Sequence, residues 1–98
     1  LYLHTQLNDK DMKKTIDLLN KALEEINNSI ERLETKIDER EMTFEDRSEK
    51  WQESEKGDEF TEKTEILQDK LSELEQKRDD LDLMIDELTE FGKLLSTE

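Results

Sequence analysis

Asp79, Asp80, Asp82 and Asp86 form the densest set of potential ligands in the chain, an oxygen-rich group of the kind that attracts divalent cations. A helix through them points the four carboxylates in several directions, so they read as a solvated acidic face and no metal is assigned. His4 is the single histidine and has no second ligand at metal-binding spacing. It reads as solvent-exposed or packed within the N-terminal tail. With that one imidazole, no nucleophile–histidine–acid set can be assembled. Glycine-rich phosphate loops, H-E-x-x-H and EF-hand loops are absent. Zero cysteines exclude thiol catalysis, disulfides and thiolate metal sites. These residues predict no enzyme and no cofactor.

Binding chemistry is easier to find than catalysis. Trp51, the only tryptophan, reads in two ways. Paired with Phe60 it is an aromatic plug closing a turn; left exposed it is an anchor for a partner protein. Arg40, Arg47 and Arg78 occupy slots where apolar residues are expected. They read as register-setting groups whose heads reach a carboxylate or solvent, with a buried charged ligand site as the other reading.

What positions these residues is a heptad. Ile16, Leu23, Ile30, Ile37, Phe44 and Trp51 fall at a, and Met12, Leu19, Ile26 and Leu33 at d. Phe60, Leu67, Leu71, Leu74, Leu81, Ile85, Leu88 and Leu95 continue the same four–three rhythm. The stripes mirror each other about Glu55 and Lys56, pairing Trp51 with Phe60, Phe44 with Leu67, Ile37 with Leu74 and Leu19 with Gly92. The predicted fold is all-α, an antiparallel two-helix coiled-coil hairpin. Its single domain divides into an N-terminal extension (1–11), helix 1 (12–56), a turn (57–58) and helix 2 (59–96). Gly57 is expected in the left-handed conformation after a helix end, with Asp58 capping the next helix. Thr43-Phe44-Glu45-Asp46 is a weak capping box, so a break near Met42 with a short middle helix is the alternative to an unbroken helix 1.

Composition narrows the partners. Charged residues make up 45% of the chain, which suits an exposed coiled coil better than a globular core. A net charge of −14 argues against nucleic acid or an anionic membrane as direct partner and favours a basic protein. No run approaches the roughly 18 apolar residues of a membrane span, and a cytoplasmic setting is expected. One thin seam offsets the ordering entropy of the chain only marginally. Leu18, Ala22, Met84, Phe91 and Leu94, with Leu83 beside them, place apolar surface outside the stripe and mark a self-interface. Glu34 near Glu75 and Lys36 near Lys77 are like-charge pairs that a second hairpin would neutralise. The prediction is a homodimer forming a four-helix bundle. Its function is that of a non-enzymatic protein–protein interaction module.

Two other readings stay open. One is an acidic nucleic-acid mimic occupying the basic cleft of a DNA-processing or host-defence protein. It draws on the acidic face of Asp79, Asp82 and Asp86, within a 57–98 segment holding 14 acidic and 5 basic residues. The other is an architectural spacer. The run FEDRSEKWQESEKGDEF (44–60) resembles small helical proteins of phages and bacterial mobile elements, in which an F-x-x-R-S-x-K-W-Q-x-S-x-x-G segment precedes an aromatic residue and a second acidic helix. That resemblance implies a bacterial host cytoplasm and no particular activity. Secreted WXG-type hairpins also carry a Trp near the bend. This chain reads Trp51-Gln52-Glu53 and lacks the glycine of that motif.

Overall fold

The computed structural model describes residues 9–96 as three helices: α1 (Asp9–Asp46), α2 (Glu49–Gln52) and α3 (Glu55–Ser96). The two long helices pack antiparallel, forming a helical hairpin. No glycine or proline interrupts Asp9–Asp46, so nothing in the α1 backbone opposes helix formation. His4 and the first eight residues of the predicted extension lie outside the described residues. Positions 9–11, also assigned to that extension, are helical.

The hairpin packs as two compact units. In the open-end unit, up to Asn27 and from Lys77, Met12 and Ile85 are buried. Ile16, Leu19, Leu23, Ile26, Leu81 and Leu88 are half-buried beside them. In the turn-end unit, Asn28–Gln76, the buried side chains are Ile30, Ile37 and Thr64. All of these lie on the heptad stripes, and the seam is one side chain deep.

The turn differs from the sequence expectation. Helix 1 does not continue to Lys56; it breaks after Asp46, four residues beyond Met42, and the short middle helix of the alternative reading is present as α2. α1 ends at Asp46, where the Arg47 amide donates to the Phe44 carbonyl over 3.2 Å in a tightened last turn. Ser48 then caps α2, its Oγ accepting from the Trp51 amide at 3.2 Å. Ser54 performs the same task for α3, accepting from the Gly57 amide at 3.2 Å. Asp58 is therefore not the cap, and its amide already belongs to the helix, donating to the Ser54 carbonyl at 3.0 Å.

Gly57 is not a left-handed helix end either. No glycine among the described residues has positive φ, and Gly57 sits buried inside the first turn of α3. It is needed for space: a Cβ there would lie 2.5 Å from the Trp51 carbonyl oxygen and 2.7 Å from the Gln52 carbonyl carbon.

Because the connection consumes residues 47–54, the pairing slips by one heptad from the mirror expected. In the turn-end unit Arg40 meets Thr64, and Phe44 meets Phe60 rather than Leu67. In the open-end unit Gly92 faces Met12, not Leu19; a Cβ on Gly92 would sit 4.0 Å from that of Met12. A heptad is about 10 Å of helix, so Glu34 is no longer level with Glu75. That like-charge pair, one argument for a second hairpin, does not form.

Gly57→Ala tests the close approach. Alanine is the better helix former by about 1 kcal/mol, so propensity alone predicts a gain. The contact with rigid backbone predicts a loss of about 1–3 kcal/mol, read from urea unfolding followed by far-UV circular dichroism.

Candidate functional site

The turn-end unit gathers most of the distinctive side chains. Three rings form a cluster: Phe44 and Trp51 meet edge to face at 5.9 Å between centroids, Trp51 and Phe60 at 5.7 Å, and Phe44 stacks on Phe60 at 6.2 Å. These are the offset and T-shaped geometries favoured by ring quadrupoles. Two guanidinium groups lie on ring faces, Arg40 at 3.9 Å from the Phe60 centroid and Arg47 at 4.1 Å from that of Trp51. Trp51 is half-buried in this cluster, as are Phe44 and Phe60.

Arg40 ties α1 to α3. Its Nε donates to Thr64 Oγ1 at 2.9 Å and its Nη2 to the Phe60 carbonyl at 3.0 Å. Thr64 Oγ1 in turn donates to that same carbonyl at 3.0 Å, closing a three-membered network at the level of the seam. The partners are neutral oxygens, not the carboxylate or solvent expected from sequence. The other two seam arginines behave differently. Arg78 is half-buried and turns to its neighbour, Nε to Asp79 Oδ1 at 3.1 Å. Arg47 lies past the end of α1, exposed on Trp51.

Gln52 is the residue sequence reasoning missed. Its Nε2 donates to the carbonyls of Phe44 at 2.8 Å and Arg47 at 3.1 Å, adding a second donor to the Phe44 oxygen and a partner for that of Arg47 where α1 ends. Ser54 Oγ also donates to the Trp51 carbonyl, tying the end of α2 to the start of α3. A signal for both caps was present: Ser-Glu-Lys occurs at 48–50 and again at 54–56, and each serine starts a helix.

A cleft of about 250 Å³ opens on one side of this network, between α1 and α3. It is lined by Phe44 and Phe60 together with Glu41, Glu45, Glu65 and Arg40, among others.

Of the residues assigned by sequence to a self-interface, Leu18, Met84, Phe91 and Leu94 are exposed in the open-end unit, and Ala22 with them. Leu83 is 60% exposed there as well. Asp79, Asp82 and Asp86 are exposed along α3. Among the described residues, no group of three acidic or histidine side chains converges to hold a metal ion. No helix among them is long and apolar enough to cross a membrane. Comparison of the chain with protein-family models, with curated proteins and with solved structures found no match.

The Arg40 network predicts coupled energetics. Arg40→Lys keeps the charge but cannot bridge both oxygens, and is expected to lower stability by about 1–2 kcal/mol. Thr64→Val is expected to cost a similar amount. The double variant should lose clearly less than the sum, as a double-mutant cycle on urea unfolding followed by Trp51 fluorescence will read.

Proposed function

We propose that the protein is a non-enzymatic interaction module that acts by self-association, two hairpins pairing through their open ends into a four-helix bundle. The observation that supports this reading is the exposure of large apolar side chains in the open-end unit. On α1, Leu18 and Ala22 flank the seam; on α3, Met84 and Phe91 flank it on the same side, as their heptad positions require. Leu18 is 58% exposed and Phe91 45%. Exposed apolar side chains gathered in one unit support an interface there. The thinness of the seam adds a reason. Among the described apolar side chains only Met12, Ile30, Ile37 and Ile85 are buried, so the hairpin hides little of its stripe alone. A second copy would turn the half-buried Leu81 and Leu88 into core. The resemblance over residues 44–60 supplies a phage or mobile-element setting for such a module.

Light scattering across a range of protein concentrations is the direct test, with a mass of two chains expected. Burying one Met or Phe side chain contributes roughly 1.5–3 kcal/mol. Met84→Glu combined with Phe91→Glu should therefore weaken the dimer by about 100-fold or more and shift the mass to one chain, with helicity unchanged. A wild-type mass of one chain at every concentration would overturn the reading.

A further inference from the structure

We infer that the cleft lined by Phe44 and Phe60 is a docking site for an arginine side chain presented by a basic partner protein. This does not rest on the self-association proposed above. Phe44 and Phe60 are half-buried and line the cleft, while Glu41, Glu45 and Glu65 are exposed around it. These three carboxylates make no ion pair among the described residues. The lining therefore carries an excess of negative charge over aromatic surface, and the complementary occupant is a cation with a flat face. Guanidinium meets both demands, stacking on a ring while its edge donates to carboxylates in pairs. The chain already uses that geometry twice in the same unit, at Arg40 on Phe60 and Arg47 on Trp51. Arg40, itself in the lining and stacked on Phe60, offsets only one of the three carboxylates, and its Nε and Nη2 donate to Thr64 and the Phe60 carbonyl. A depression on the other side of the seam lacks this character. It holds one ring, Phe60, and its charges balance, Lys36 and Arg40 against Glu39 and Asp46.

Acetyl-Gly-Arg-Gly-amide, titrated into the millimolar range at physiological salt and followed by NMR, tests the inference. Saturable shifts should centre on Phe44, Phe60, Thr61 and Gln68, with the lysine counterpart binding more weakly. Glu41→Gln, Glu45→Gln and Glu65→Gln together remove three exposed charges and should weaken binding roughly tenfold. Asp79→Asn, Asp82→Asn and Asp86→Asn together remove equal charge elsewhere and should change it little. Equal loss in the two triple variants would reduce the effect to general charge attraction and overturn the site. Equal affinity for the lysine peptide would overturn the assignment to arginine. Absence of saturable shifts at the cleft would overturn the inference outright.

Discussion

A two-helix seam made only of leucine and isoleucine has little to distinguish one heptad alignment from the next, because sliding by seven residues replaces each apolar pair with another. Arg40 removes that freedom at the turn end. Its guanidinium needs acceptors once it is half-buried, and this alignment offers it a threonine hydroxyl, the Phe60 carbonyl and a ring face together. Any slip would leave those donors facing apolar side chains. The desolvation cost of the charge thus becomes specificity, since the wrong alignments carry the cost without the hydrogen bonds.

The connection fits the same alignment. Eight residues link α1 to α3, and their polar groups are occupied with one another: Ser48 starts α2, Gln52 closes α1, and Ser54 starts α3. The three rings pack against one another beside this polar framework. Gly57 allows the backbone of α2 to lie against the first turn of α3, which no larger residue would permit. The surface ion pairs contribute little by comparison. Lys70–Glu73 and Lys93–Glu90 are both well exposed and screened by salt.

Much of this was legible in the sequence. The heptad named the seam residues, and Met12, Ile30, Ile37 and Ile85 are buried on it. The exposure of Leu18, Met84 and Phe91 followed from the same helical arithmetic. The turn was misread because glycine was given its commonest role. Nothing in the residue type alone distinguishes a glycine that adopts positive φ from one that merely makes room. The repeated Ser-Glu-Lys held the better signal, two N-caps six residues apart, and following it would have shortened helix 1 and shifted the pairing by a heptad. Phe44 as the third ring was hidden by that shift. The Arg40–Thr64 bond was hidden too, since the mirror alignment set Arg40 against Leu71 and Thr64 against Arg47.

The order in which the chain closes follows from the compact turn. The bond from Arg40 to Thr64 spans 24 residues, and the caps span fewer than ten. Met12 and Gly92, by contrast, lie at nearly opposite ends of the sequence. Bringing them together directly would close a very long loop, at an entropic cost that grows with its length. Starting from the turn, each further heptad adds only a short segment to helices already aligned. The route of lowest loop entropy is therefore a zipper that starts at the turn and sets the alignment before the more slippable leucines of the open end meet.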